Sequence, residues 1–271
     1  MPTMRSVALL ATCLGVLGPA RPAAACGYGM PSPVARFALA DCVVVGRVTL
    51  VEPRPVLALF PGSGQRLAYN VAVLKVQEMI KGDPRLTHVR VGLLAHQSLL
   101  PGFEACFFLQ EHPEESFFLQ GSDFYDYPVA REGNPGFAAQ VETFRRLGRL
   151  SGEPLDGLRA ARAEDRFLAA ALFVARCRTF RPTLHAGADR TEPVDALSSR
   201  LVLRALAEAD WSRGAADFSL NPRRVFLQLG LSARDGWNPP AFRDLHEMEA
   251  FARKWLRENE DKVLLRAFVR R

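Results

Sequence analysis

The spacing of apolar residues changes partway along the chain. Between Asp41 and Gly121 they come in short runs rich in Val, Leu and Phe, divided by Pro, Gly and Asp, whereas beyond Asn134 they recur every three or four positions. The first pattern predicts strands and the second predicts helices, because side chains alternate across a strand and return to one helix face about every 3.6 residues. Asp41 to Glu52 is dominated by β-branched residues and predicts a strand with one well-buried face. Pro53, Pro55, Pro61, Gly62 and Gly64 then predict a long loop that holds no ladder. Ala68 to Ile80 and Thr87 to Leu94 predict two further strands, separated by the turn Lys81-Gly82-Asp83-Pro84. Ala105 to Gln110 and Ser116 to Gly121 flank His112-Pro113-Glu114-Glu115 and read as a hairpin. Five strands with no helix between them predict a small closed or partly open antiparallel barrel, since a flat sheet this apolar would leave its edges exposed.

The second half carries the helical period. Asn134-Pro135 opens a helix through Phe137, Val141, Phe144 and Leu147, and Glu164 to Arg178 forms another with acids at its start and arginines at its end. Asp195 to Ala209, a short stretch from Asn221-Pro222 to Leu229, and Arg243 to Arg257 complete the set. In the last of these Leu245, Met248, Ala252 and Trp255 form the apolar stripe. The expected fold class is therefore α+β. A closed or partly open five-stranded antiparallel β-barrel over residues 26–130 is followed by an α-helical region, 131–271, packed on it.

Residues 1–25 read as a secretory signal peptide. Met1 to Arg5 is positively charged, Val7 to Leu17 is apolar, and Ala23-Ala24-Ala25 offers a small-residue cleavage site, so the mature chain would begin at Cys26. The apolar run is shorter than the roughly 20 residues needed to cross a bilayer. A secreted or periplasmic protein with no transmembrane segment is expected. In the rival outcome Cys26 is acylated as a lipid anchor, which would forbid it a disulfide.

The 35 basic and 29 acidic residues give a formal charge of +6, but they are interspersed, and neither zinc-finger spacing nor an aromatic-basic motif is present. No nucleic-acid partner is expected. With Cys13 removed in the leader, Cys26, Cys42, Cys106 and Cys177 remain; an even number in an oxidising compartment suggests disulfides, and several pairings are open. Cys42 and Cys177 could join the two halves or stay as buried thiols. The absence of a CxxC pair argues against a structural zinc or redox centre. His246-Glu247-Met248-Glu249-Ala250 lacks the second histidine of a zinc-protease helix, no GxSxG elbow occurs, and Pro61 to Arg66 lacks the Gly-Lys-Ser/Thr ending of a phosphate loop. No catalytic residue, metal site or cofactor is expected. Asp123 to Tyr127 reads as a solvated acidic exit from the hairpin. Trp211 and Trp237 lie beside turn residues, where they either plug loops onto the core or face a partner, and Tyr28 is a third candidate for a partner-facing aromatic.

One order of features resembles a known family. An N-terminal Cys26 is followed by Ala40-Asp41-x-Val43-Val44-x-Gly46-x-Val48, by Tyr69-x-Val71 in a strand ending at Lys81-Gly82, and by Cys106-x-x-Leu109 before Ser116-Phe117-Phe118-Leu119-x-Gly121. Over about residues 26–127 this resembles the netrin-like domain found at the N-terminus of tissue inhibitors of metalloproteinases. The resemblance implies an OB-fold barrel and a disulfide from Cys26 to Cys106, which would stabilise the fold by about 4–5 kcal/mol through its long closed loop. In those inhibitors the amine and carbonyl of the N-terminal cysteine chelate the target's zinc, a role that falls on Cys26. The family's second cysteine is missing here, where Gly27-Tyr28 follows. The leading expectation is a secreted, non-catalytic protein-binding module. Inhibition of a zinc metalloprotease through Cys26 is the alternative, and an extracytoplasmic enzyme is the second.

Overall fold

A computed structural model describes residues 32–61, 63–95, 97–120, 127–179, 190–213 and 220–269. Its first element is a helix that the strand pattern did not announce, α1 (Pro33–Leu39). Ser32 caps it by accepting from the Ala35 amide at 3.1 Å, and Pro33 occupies the first turn, where its missing N–H costs nothing. At the other end the Lys81 ammonium donates to the carbonyls of Phe37, at 3.1 Å, and Ala40, completing orphan acceptors of the last turn.

Seven strands follow in one mixed sheet: β1 (Cys42–Val51), β2 (Val56–Leu59), β3 (Arg66–Lys81), β4 (His88–Leu93), β5 (Glu104–Glu111), β6 (Phe118–Gln120) and β7 (Val129–Ala130). Their pairings run in a ring, β1-β3-β4-β6-β5 and back to β1. Antiparallel neighbours alternate in direction, so five strands joined in a ring must include a parallel pair. That pair is β4 with β6, where Val91 faces Phe118 and Gly92 faces Leu119. The expectation of a purely antiparallel arrangement is corrected on this point. A second correction concerns the proline-rich loop. Its prolines stand outside the four-residue β2, which carries on along β3 where β1 leaves off, Val51 facing Ala72 and Val56 facing Tyr69. Three register shifts between β1 and β3 let this long pair bend.

The β-branched run of β1 has two buried faces, not one. Val43 and Val45, with Cys106 and Phe108 of β5, join the main core under the helices. Cys42, Val44 and Val48, with Ala105, Phe107 and Leu109, belong to a second core on the opposite face, shared with Leu74, Val91 and Leu93. A third, smaller core of Ala58, Tyr69, Val71 and Phe117 sits where β2 meets β3. Period-two alternation thus sends alternate residues into different cores, which explains why β1 and β5 read as continuous apolar runs.

The helices lie on the outer face of β1 and β5. They are α2 (Phe137–Ser151), α3 (Pro154–Leu158), α4 (Ala163–Arg178), α5 (Ala196–Glu208), α6 (Pro222–Gln228) and α7 (Leu245–Asn259). α2 turns Phe137, Val141, Phe144 and Leu147 inward, and Phe144 meets Phe108 of β5 edge-on at 4.9 Å. Gly148 permits the close approach of α2 to β3, since a Cβ there would lie 2.9 Å from the Ile80 carbonyl oxygen. Arg145 then clamps the contact with two 2.7 Å bonds to Glu78 of β3. α4 is the central helix, with Phe167 to Leu172, Val174 and Ala175 buried, and it packs against α1, α2, α3, α5 and α6. Asp195, Asn221 and Asp244 cap α5, α6 and α7 through their side chains. In α7, Ala252 and Trp255 are buried as the stripe predicts, but Leu245, at the first helical position, is 62% exposed. A two-stranded ladder, β8 (Thr191–Pro193) with β9 (Arg266–Phe268), ties the chain end back to the helical layer. The structure is α+β as expected, and the main core draws on strands before residue 130 and on helices after it.

Candidate functional site

Cys26, on which the inhibitor reading rests, and Tyr28, a candidate partner-facing aromatic, lie outside the described residues, as does most of the acidic stretch at Asp123. Cys106 is wholly buried on the helix-facing side of β5 and carries a free thiol. Burial pushes that thiol up to about 12, against a weaker opposing pull from Arg36. Cys42 is also a free thiol, its sulfur 3.6 Å from that of Met79. Burial, then the charges of Asp41 and Glu111, pushes it up to about 12. Thiols so placed are poor nucleophiles, because the reactive form is the thiolate. The clamp considered between Cys42 and Cys177 is not formed. Cys42 points into the core on the far side of β1, whereas Cys177 belongs to α4 in the helical layer, so the sheet lies between them.

Trp211, expected either to plug a loop onto the core or to face a partner, is a core residue. It is 4% exposed, and its indole N–H donates to the Leu206 carbonyl at 2.8 Å. Trp237 is half-buried, standing edge-on to Phe226 at 4.8 Å and to Trp255 at 5.7 Å and leaning on Phe251. It keeps a partly open edge. His246 and His88 are exposed, and among the described residues no three His, Cys, Asp or Glu side chains gather as metal ligands. No helix among them is long and apolar enough to cross a membrane.

Three arrangements emerge that the sequence did not single out. The first is a cleft of about 270 Å³ between α2 and the start of α4, lined by Glu142, Arg146, Arg149, Leu150, Arg162 and Asp165. Each guanidinium already faces a carboxylate, Arg146 on Asp165 at 2.6 Å, Arg149 on Glu142 at 3.2 Å and Arg162 on Glu164 at 3.2 Å. The cleft is polar but close to neutral in charge, so it holds no strong field for an anion.

The second is a set of exposed aliphatic side chains on β1, on β2 and on the loop before β5. Leu50 is 46% exposed and Leu57 60%, and Leu100, on the loop whose Gly102 amide bonds to the Val48 carbonyl, is 72% exposed. Leu50 faces Val73 and Leu57 faces Ala68 along β3, an odd number of residues apart, so the two stand on opposite faces of the sheet as separate exposed spots.

The third is centred on His112, which is 5% exposed. Its Nε2 lies 2.8 Å from the Leu59 carbonyl of β2, and its Nδ1 lies 3.1 Å from the amides of both Glu114 and Glu115. A carbonyl can only accept and an amide can only donate, so the ring carries its proton on Nε2 and presents a lone pair at Nδ1. Tyr69 and Phe117 pack on the ring at 5.9 and 4.9 Å between centroids. The buried Tyr69 hydroxyl has no hydrogen-bond partner. The visible sequence signal for this cluster was the turn His112-Pro113-Glu114-Glu115, read only as a hairpin connection.

No family model and no curated protein matches this chain.

Proposed function

We propose that the chain is a secreted, non-catalytic protein-binding module whose first half is a closed OB-like barrel of netrin-like type. The observation that carries this reading is the ring β1-β3-β4-β6-β5 with its parallel β4-β6 closure. Five strands closed in this way, with an apolar interior formed by Val44, Leu74, Val91 and Phe107, have the properties of a small barrel of that class. Fold alone does not assign a function. The binding role is proposed for the exposed aliphatic side chains of Leu57 on β2 and Leu100 on the loop before β5, each a separate contact point on the surface. The helical layer buries the opposite face of β1 and β5 and holds the sheet in shape.

The test is a photo-crosslinking probe placed at Leu57 or Leu100 in the exported protein. Capture of one defined protein, lost on Leu57→Glu and Leu100→Glu while the fold is unchanged, supports the reading. Labelling no greater than that from a probe at exposed His246 on α7 argues against it. Intact mass of the mature protein separately reports whether the chain begins at Cys26 and whether that residue is acylated.

A further inference from the structure

We propose that His112 is an acid-sensitive latch, holding the β5-β6 turn and the end of β2 onto the third core only while its ring is neutral. The bonding pattern leaves no freedom on this point. Nε2–H donates to Leu59, and Nδ1 accepts from Glu114 and Glu115 at the same time. A proton added at Nδ1 would point a third donor at two amide donors. Both bonds would be lost together, and a cation would be left buried against Tyr69 and Phe117. The charged ring therefore has to leave its site, and the turn from 112 to 117 and the Leu59 carbonyl lose their anchor as it goes.

Among the described residues, the surroundings do not supply a buried counter-charge. β2 and β6 carry no ionisable residue. On β3, Arg66 pairs with the exposed Glu114 at 3.6 Å, and Tyr69 presents its ring. On β4, Arg90 is bound bidentately to Glu52 and donates to Ser116 at 2.8 Å, and Glu111 ends β5 exposed. The carboxylates of Glu114 and Glu115 belong to the turn that would move. Opening would uncover Ala58, Tyr69 and Phe117, and would bring the unpartnered Tyr69 hydroxyl to water. The released surface adjoins the exposed Leu57 of β2, and the latch itself does not depend on what that side chain contacts.

The experiment uses the full-length chain, with imidazole nitrogen NMR and amide hydrogen exchange followed together from neutral to acid pH. The neutral ring should show the Nε2–H tautomer. As it takes up a proton, protection at the Glu114, Glu115 and Phe60 amides should fall roughly tenfold for each further pH unit, while Val202 and Leu203 in α5 keep theirs. In His112→Asn, which offers a carbonyl acceptor that does not titrate, the loss should not follow pH. Three results would overturn the proposal. They are an Nδ1–H tautomer, a ring that protonates while the turn stays protected, and loss at the turn only together with α5. If the Asn variant does not fold, the wild-type titration still decides. A wild-type loss that tracks the carboxylates of Glu114 and Glu115 instead of the ring also counts against the latch.

Discussion

Adding one methyl group at Gly92 tests the packing of the ring where its parallel pair closes. A Cβ built at this position on β4 would stand 2.4 Å from Cε2 and 2.6 Å from Cδ2 of Phe117. Carbon atoms in contact settle near 3.5–4.0 Å, so the ring would have to withdraw by about 1 Å. It has nowhere to go. Phe117 is 2% exposed, with His112 at 4.9 Å and Tyr69 at 5.4 Å between ring centroids. Gly92→Ala should therefore cost about 2–3 kcal/mol, the upper part of the range for overpacking. Phe117→Leu alone should cost about 1–2 kcal/mol by leaving a partial void. Combined, the smaller side chain makes room for the methyl, and the pair should be less destabilised than the separate effects imply by about 1–2 kcal/mol. Urea unfolding followed by far-UV circular dichroism measures each variant, with the slope held constant as the check that the same surface is exposed. Effects that add within about 0.5 kcal/mol would refute the reasoning, because they would mean the two positions do not compete for space.

Other outcomes follow from the same geometry. The Arg145 guanidinium holds the Glu78 carboxyl below the usual carboxylate range. A lowered folded-state value means that its stabilisation is full at neutral pH and is lost as pH falls through the acid range. Because the Arg145 and Glu78 side chains are 39% and 33% exposed, Glu78→Gln should cost only about 1 kcal/mol at pH 7, and thermal melts should converge with wild type in acid. Lys81→Met removes the charge-assisted bonds that cap α1 and should cost about 1.5–3 kcal/mol in a denaturant melt. Cys42 and Cys106, both pushed up to about 12 by burial, should resist thiol reagents at neutral pH in the folded state and become modified only with unfolding, as mass spectrometry of labelled peptides would report.

The sequence was most legible where the period was clean. β1, β3, β4 and β5 appear within two residues of the apolar runs that predict them, and α2, α4, α5 and α7 follow their stripes. Turn chemistry also carried over, for Asn221-Pro222 and Asp195 do begin helices. What escaped notice was held by partners distant in the chain. β2 survives among prolines because Tyr69 to Arg66 of β3 complete its ladder, and β7 is two residues long and exists only against Ala105 and Cys106. α1 was missed although Ser32-Pro33 is a proper cap, since the short apolar run after it gave no second turn of periodicity. Trp211 takes the core position of its two expected places, its N–H donating to the Leu206 carbonyl of α5. The His112 cluster was hidden for a related reason. A lone histidine in a turn does not reveal that β2 will deliver the Leu59 carbonyl to its ring.

β1 and β5 bury both faces, so that sheet and helices share one core. All three tryptophans, Trp211, Trp237 and Trp255, lie in the helical layer, while Phe108 belongs to β5. Phe108→Ala should cost about 3–5 kcal/mol and should move the urea midpoint of tryptophan fluorescence together with that of the strand signal in circular dichroism. A fluorescence transition that stays at its wild-type midpoint while the strand signal shifts would contradict the shared core.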